Sequence, residues 1–362
     1  MGALHWCAGC SAPSLTRRQV LRAAAAAAAA VLLPRPARAF PILGPSQEEE
    51  IGRNAHPDIV KRFGVLDSPS LQAFVARVGQ RLVEEAEYTG FEYRFTALDS
   101  PEVNAFALPG GFIYVTRGLI TGANSEAEVA TVLGHEIGHV TSHHAAKQLT
   151  RAYGLQFLTL GLIALSPGGR EHAAKWATLS SELFRRILLG YGREAELESD
   201  EKGLRYAFRA GYDARQMVAF FRILQLKARL AGVAYHAFDA THPDTIERID
   251  RARVLAEVIG PGAGAELRVA ADEYKGRLDG LAYGEKGSGR RLHVHTVAAG
   301  ETLPAIVHQT YGSDARVYEV ALLNGLRRED EPLAPGQRLK LVVEAPPGRS
   351  LRLEPGPEKA SP

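Results

Sequence analysis

The stretch His135-Glu136-Ile137-Gly138-His139 decides the architecture that this sequence predicts. It reads H-E-x-x-H and lies in a run, residues 125 to about 148, whose apolar spacing predicts one helix. An α-helix turns by about 100° per residue, so the two histidines share a face and both imidazoles can reach one Zn²⁺. Glu136, one position round the helix, is placed to take a proton from a water that zinc acidifies. This combination predicts hydrolysis of peptide bonds.

The residues around the motif favour a buried metal site over a solvated pair of histidines. Val132, Leu133 and Ile137 make the helix apolar, and a buried His-Glu-His cluster without a metal would be costly. Gly134 and Gly138 each cost a helix about 1 kcal/mol relative to Ala. They flank the histidines, where a bulky side chain would block close approach.

A tetrahedral zinc site with one open position needs a third protein ligand. One class of zinc protease continues H-E-x-x-H-x-x-G-x-x-H, but Ser142 and Ala145 occupy the last two defining positions here, which excludes that class. His143 lies another turn along the predicted helix and would overshoot a metal held by the motif. We therefore expect His143 and His144 to lie on the helix surface or behind the ligands.

The acidic stretch from Arg193 to Asp200 offers better candidates for the third ligand. Glu196 and Asp200 are spaced i, i+4, so one helix face presents two carboxylates. One could bind the metal while the other orients a ligand. An acidic, solvated helix start is the alternative, and composition does not choose among Glu194, Glu196 and Glu198.

Four ordered motifs resemble the zinc metallopeptidases typified by the CAAX prenyl protease and HtpX, specifically their periplasmic BepA-like branch. The resemblance runs from about Gln47 to Arg253. The motifs are a cleft-edge strand with its continuation, the zinc helix, an E-x-x-x-D element and a downstream H-P segment: Asn104 to Gly118, His135 to His139, Glu196 to Asp200, and Thr241-His242-Pro243 with Arg248-Ile249.

The resemblance implies one Zn²⁺ per chain, with Glu196 joining the two histidines as its third ligand and Glu136 acting as general base. Asp200 would support His135 or His139, or help proton transfer. His242 would stabilise the tetrahedral oxyanion or occupy the open zinc position in a resting form. A loop histidine with a structural hydrogen bond is the alternative for His242.

The segment Asn104, Ala105, Phe106, Ala107 predicts a substrate-binding element. An exposed strand edge beside zinc can pair with the backbone of an extended substrate, so any unfolded chain could bind. An ordinary strand closed by the turn at Pro109 is a compatible alternative.

The N-terminus predicts export to the periplasm. Arg17-Arg18 belongs to a twin-arginine pattern, an alanine-rich apolar run follows, and Ala37-Arg-Ala39 is a small-x-small cleavage site. We interpret residues 1–39 as a signal peptide, with an uncleaved anchor as the alternative. Cys7 and Cys10 fall within it, so the mature chain has no cysteine and needs no disulfide.

The charge and hydropathy of the mature chain exclude several function classes. Removing a segment with five arginines and no acid takes the formal charge from +2 to −3, which argues against nucleic acid as a partner. No later stretch of about 18 apolar residues occurs, so we expect no transmembrane span in the mature chain.

Composition and periodicity predict an α+β fold: a predominantly helical zincin-type metalloprotease domain with a small sheet, at residues 40–283. Residues 284–291 have the composition of a linker, and residues 346–362 of a disordered tail. Residues 292–345 predict a βααβ module.

This module resembles a LysM domain through its opening at Gly300 to Leu303, its central Leu323-Asn-Gly325 and its final Pro335-Gly-Gln. Glu301 replaces the usual Asp. The resemblance implies binding to peptidoglycan glycans, and a packing module without a ligand is the alternative.

The leading hypothesis is a secreted zinc endopeptidase acting on unfolded or misassembled envelope proteins in protein quality control. A chaperone-like assembly factor with a gated, rarely active zinc site is the second. A peptidoglycan-remodelling hydrolase, suggested only by the C-terminal module, ranks last.

Overall fold

A computed structural model describes residues 44–153, 190–230, 242, 246–260 and 266–344. Several predicted segments lie outside these ranges: the signal peptide, the tail, the loop at 232–240, the helix at 170–189 and nearly all of the apolar segment at 152–165. In the described ranges, no helix is both long and apolar enough to cross a membrane.

Two N-terminal helices pack against a small sheet. Helix α1 spans Pro45–Phe63 and helix α2 spans Pro69–Val83, with the apolar positions of α2 buried. The apolar spacing of residues 69–88 predicts a helix that reaches Tyr88. Helix α2 ends earlier because its last turn tightens, with the amides of Glu85 and Ala86 bonding carbonyls only three residues back.

The sheet has three strands, β1 Arg94–Leu98, β2 Ala105–Leu108 and β3 Phe112–Thr116, in the order β1-β3-β2. Strand β3 runs parallel to β1 and antiparallel to β2. The turn between β2 and β3 lies tightly under α1, because a Cβ on Gly52 would come within 2.1 Å of the Pro109 carbonyl oxygen.

A short helix, α3 Arg117–Gly122, leads into helix α4, Glu126–Thr141, which carries the H-E-x-x-H motif. Ser125 begins α4 by accepting a hydrogen bond from the Glu128 amide. The prediction of one helix as far as Gln148 was wrong, because a new helix, α5, spans His144–Tyr153. Between them His143 takes a left-handed backbone conformation, with φ 53°.

Contacts on both sides stabilise this break. The His143 Nδ1 atom lies 2.6 Å from the buried carboxylate of Glu48, and the Ser142 hydroxyl donates to Glu198 at 2.6 Å. The break also brings His144 back against His139. His143 therefore does not continue the helix that holds the motif.

Three further helices complete this region: α6 Arg193–Arg209, α7 Gln216–Leu230 and α8 Ile246–Ile259. Helices α4 and α6 meet at glycines. A Cβ on Gly134 would lie 2.9 Å from the Gly203 oxygen, one on Gly203 would lie 2.7 Å from the His135 nitrogen, and one on Gly138 would lie 3.0 Å from the Ser199 Cα. Gly134 and Gly138 therefore allow helix α6 to approach helix α4 closely.

Helix α9, Ala271–Gly276, precedes a module with βααβ order. Strands β4 Arg290–Thr296 and β5 Arg338–Glu344 pair antiparallel around helices α10 Leu303–Tyr311 and α11 Val317–Leu323, with a 3₁₀ turn before α11. The predicted α+β class, predominantly helical with small sheets, is confirmed.

One buried cation joins this module to the helical region, and a second joins the segment just before the module to it. The Lys340 ammonium donates to the carbonyls of Thr121 and Ala123 at 2.9 and 2.7 Å. Arg117 donates to the carbonyls of Ala282 and Gly284. Residues 284–291 include a hydrogen-bonded hairpin turn, in which the Tyr283 amide bonds the Arg290 carbonyl. The domain boundaries predicted from composition stay predictions.

Candidate metal centre

Helices α4 and α6 bring the predicted ligands to one point. The Nε2 atoms of His135 and His139 lie 3.0 Å apart, and the Glu196 carboxylate lies 3.4 and 3.5 Å from them. The His242 Nδ1 atom lies 3.2 Å from the His135 Nε2 atom and 3.1 Å from a Glu196 oxygen. All four side chains are at most 1% exposed.

This cluster fits a metal ion. Its four ligand atoms lie within 4.8 Å of one another. Tetrahedral zinc with ligands at about 2.05 Å would have ligand–ligand distances of about 3.3 Å, which matches the contacts among these atoms. The Nε2 atoms of His135 and His139 face each other beside the buried Glu196 carboxylate. A cation bound between them would satisfy all three groups. The residues therefore hold a candidate metal centre, and its assignment to zinc stays a prediction.

Asp200 and Arg248 support the cluster from behind. The Asp200 Oδ1 atom lies 2.8 Å from the His135 Nδ1 atom, so this carboxylate can fix the orientation of the ring. Arg248 donates two hydrogen bonds of 2.7 Å to Asp200 and lies 3.1 Å from Glu196. The sequence placed Arg248 in the downstream motif but assigned it no role. Its contacts are with residues 48 and 52 positions earlier in the chain, which no local pattern reveals.

Glu136 is a buried acid with no hydrogen bond in the described part of the chain. It is 0% exposed, and neither of its oxygens has a hydrogen-bond partner there. Burial raises its pKa above the ordinary value of 4.5. His242 Nε2 lies 3.3 Å from Glu136 Oε1. A carboxylate placed in this way beside a cluster of candidate metal ligands suits proton transfer.

The pKa directions of two predicted ligands favour their metal-binding forms, whereas for His135 burial lowers the pKa but Asp200 and Glu196 outweigh this and raise it to about 9. Burial lowers the pKa of His139 well below 6.5, which keeps its imidazole neutral. Burial would raise the pKa of Glu196, but the facing histidines outweigh it and hold the pKa well below 4.5. Neutral imidazole and ionised carboxylate are the forms that bind metal.

Two further aromatic side chains lie near the cluster. His144 takes the second of its two expected positions, behind the ligands: it is 7% exposed and its Nδ1 atom lies 3.0 Å from the His139 Nδ1 atom. The ring of Tyr191 stacks on His139, with centroids 4.2 Å apart and planes at 25°. The only signal for Tyr191 was its position just before the Gly192 that begins helix α6.

Strand β2 lies at the edge of its sheet, beside the cluster. Contrary to the expected exposed segment, the side chains of Asn104, Ala105, Phe106 and Ala107 are all buried, at 3% exposure or less. They pack on the flanking helices. The end of the strand nevertheless borders a narrow cavity that His139 and Tyr191 also line. Their role in substrate binding stays a prediction.

A larger cavity of about 480 Å³ opens between helix α5 and the start of α6. His144 and Tyr191 lie at its inner side, and Lys147, Arg151 and Arg193 also line it. Tyr191 therefore borders both cavities next to the ligand cluster.

Two helix histidines, a carboxylate ligand from a second helix and a buried neighbouring acid define the class of metallopeptidases with an H-E-x-x-H helix. The chain belongs to Peptidase family M48, whose model matches residues 69–256.

Individual relatives agree with this family. The chain is 31% identical over 202 residues to the Mitochondrial metalloendopeptidase OMA1 of Arabidopsis thaliana, which covers 55% of this chain and 39% of the relative. It is 28% identical over 203 residues to the Beta-barrel assembly-enhancing protease of Escherichia coli strain K12, which covers 54% and 41%. The chain thus spans about two fifths of the length of these curated relatives.

Proposed function

We propose that this chain is a zinc-dependent endopeptidase that hydrolyses unfolded or misassembled proteins of the cell envelope. The observation that carries the proposal is the buried carboxylate of Glu136, which has no hydrogen-bond partner among the described residues and lies beside the ligands His135, His139 and Glu196. A set of two imidazoles and one carboxylate suits zinc. The family and the metalloendopeptidase names of relatives support peptide-bond cleavage.

Hydrolysis requires a water oxygen to bond to the carbonyl carbon while the carbon–nitrogen bond breaks. The proton that leaves the water must reach the amide nitrogen of the departing chain. Bound zinc would polarise the carbonyl and acidify the water. Glu136 takes the proton from the water and returns it to the nitrogen, and its raised pKa brings its basicity closer to that required near neutral pH. Asp200 holds the His135 ring in the orientation that leaves Nε2 free to bind the metal.

The substrate class follows from the edge position of strand β2. Once the buried residues of β2 are uncovered, an extended peptide can add to this strand edge through main-chain hydrogen bonds, which selects unfolded segments rather than one sequence. The twin-arginine pattern at Arg17-Arg18 supports a periplasmic location. The name of the Escherichia coli relative points to β-barrel assembly as the setting of that protein.

His242 supports a second candidate, a chaperone-like assembly factor whose peptidase is gated. Its Nδ1 atom completes a fourth position in the cluster, whereas catalytic zinc sites keep one position open. In this proposal His242 must withdraw before substrate enters. The cleft would bind unfolded chains while hydrolysis stays rare.

The βααβ module at residues 292–345 is proposed to bind peptidoglycan glycans and to hold the peptidase near the cell wall. The support is its LysM-like sequence pattern. Because Lys340 joins the module to the helical region, the wall attachment would fix the orientation of the whole unit rather than of a tethered arm.

Proteolysis of an unfolded protein such as reduced casein tests the proposal. The zinc-loaded mature chain should cleave it, and Glu136→Gln should lose at least 100-fold of kcat while it retains one zinc. Glu201→Gln, at a partly exposed position on helix α6, is the matched control and should retain full activity. Equal rates in wild type and Glu136→Gln would remove Glu136 from the mechanism.

His242→Ala separates the two candidates. If His242 gates an active site, the variant should cleave casein faster than wild type and still bind one zinc. If the chain works chiefly by binding, neither protein cleaves, and both suppress aggregation of the unfolded substrate equally.

A further inference from the structure

The buried hydroxyl of Tyr191 has no hydrogen-bond partner among the described residues. The residue is 9% exposed. Two other buried tyrosines are paired, since Tyr274 donates to the Ile120 carbonyl and Tyr212 donates to Glu126, whereas the Tyr93 hydroxyl also has no partner in the described part of the chain. An unpaired buried donor is costly, so a site that keeps one has a partner that arrives from outside.

The position of the Tyr191 ring is fixed before any substrate binds. Its face stacks on His139, and its centroid lies 6.4 Å from that of His242. The carbonyl of the preceding residue, Gly190, accepts a hydrogen bond of 3.1 Å from the Gln148 side chain. A donor held in this way needs no reorganisation when charge develops near it.

Tyr191 lines both cavities at the metal centre. One is the narrow cavity of about 10 Å³ at the end of β2, lined by Ala107 and Leu108, and the other is the larger cavity between helices α5 and α6. A peptide that lies in the larger cavity and reaches the ligand cluster would pass the Tyr191 ring. It would bring a carbonyl oxygen to the Tyr191 hydroxyl.

We propose that the Tyr191 hydroxyl donates a hydrogen bond to the carbonyl oxygen of the peptide bond being cut and stabilises the negative charge that this oxygen acquires. Tyr191 is then a catalytic residue in addition to Glu136. The phenol keeps its proton throughout: water attacks, the carbonyl π electrons move to oxygen, and the O–H bond points at that oxygen. This inference rests on the proposed peptidase function.

Tyr191→Phe is the direct test because it keeps the ring on His139 and removes only the hydroxyl. The zinc-loaded variant should lose about 100-fold in kcat, with KM within threefold of wild type, since the bond forms mainly in the transition state. Its metal content should be unchanged. Without metal its Tm should equal or exceed that of wild type, because the oxygen it lacks was unpaired.

A second readout does not use turnover. The probe is a phosphinic pseudopeptide, in which PO₂–CH₂ replaces one peptide bond and imitates the tetrahedral oxyanion. Its affinity for Tyr191→Phe, measured by calorimetry, should fall by a factor similar to the fall in kcat/KM.

Tyr274→Phe is the matched control, because it removes a buried hydroxyl that has a partner. It should lower Tm and leave kcat unchanged, the reverse of Tyr191→Phe. Wild-type kcat and wild-type probe affinity in Tyr191→Phe would overturn the inference, as would a loss of kcat that accompanies a loss of Tm.

The two proposals fail in distinguishable ways. If the wild type cleaves no peptide but binds the phosphinic probe, the peptidase function fails and the Tyr191 contact is decided by the affinity difference. If cleavage is normal and Tyr191→Phe matches wild type in both readouts, only the Tyr191 inference fails. A wild type that neither cleaves nor binds the probe overturns both.

Discussion

Asp200 provides the sharpest test of how the fold prepares the metal centre. Its carboxylate faces the His135 Nδ1 atom at 2.8 Å and accepts two hydrogen bonds of 2.7 Å from Arg248. Asp200→Asn has nearly the same shape but no charge. Its amide group would direct N–H donors at Arg248, itself a donor, or at His135.

Two effects follow, with separate magnitudes. Losing the partner that orients a metal-binding histidine lowers metal affinity 10- to 100-fold, or about 1.4 to 2.7 kcal/mol. Arg248 is 1% exposed and keeps only Glu196 as an ionised partner among these contacts, so unfolding should also become easier by about 3 kcal/mol without metal.

Competition with a chelator measures the first effect, and urea unfolding of the metal-free protein measures the second. Asp250→Asn, in an exposed pair with Arg253, is the control and should change neither quantity. Zinc affinity within twofold of wild type in Asp200→Asn would refute the idea that this carboxylate orients His135.

Other predictions concern stability. Glu126 is buried, and although burial raises its pKa, hydrogen bonds from Arg268, Arg77 and Tyr212 outweigh this and hold the pKa at about 2. The stabilisation that ionised Glu126 adds to the free energy of unfolding is therefore complete above pH 4.5 and is lost as the pH falls toward 2. Because its arginine partners are partly exposed, we expect this stabilisation to be about 1 to 2 kcal/mol. The free energy of unfolding of Glu126→Gln should therefore fall less steeply with acidification than that of wild type. Gly203→Ala should destabilise the fold by about 1 to 3 kcal/mol in urea unfolding, because the new Cβ meets the backbone of helix α4. Lys340→Met should cost about 2 to 4 kcal/mol by the same assay, since it leaves buried carbonyls at the end of helix α3 without their donor.

Matched controls make these outcomes decisive. Glu247→Gln, in an exposed pair with Arg193, should leave the acid limb unchanged. Gly192→Ala has open space for a Cβ and should cost less than Gly203→Ala. Lys286→Met removes an exposed cation and should have little effect. A buried-site variant that behaves like its control would contradict the corresponding packing argument.

The sequence by itself determined the parts of this protein whose physics is local. The i, i+4 spacing of His135 and His139 places them on one helix face wherever that helix lies. The glycines at positions 134 and 138 indicated a close approach, and the apolar spacing of residues 69–88 predicted helix α2 apart from its end. Helical periodicity and backbone sterics act over a few residues and need no knowledge of the fold.

The tertiary structure decided which acid joins the histidines. Glu194, Glu196 and Glu198 are equivalent by composition, but only the rotation of helix α6 against α4 buries Glu196 while the other two stay exposed. That rotation is fixed by the contacts of Gly134, Gly138 and Gly203. No local pattern contains it, because the two helices lie more than 50 positions apart in sequence.

The tertiary structure also decided the residues around the cluster. The break at His143 depends on Glu48, 95 positions earlier, and it decides between the two positions expected for His144 by placing it behind His139. Tyr191 and Arg248 reach the site only through the packing of chain segments that are distant in sequence. Burial and side-chain pairing are properties of assembled surfaces, so these contacts emerge only when the whole unit is folded.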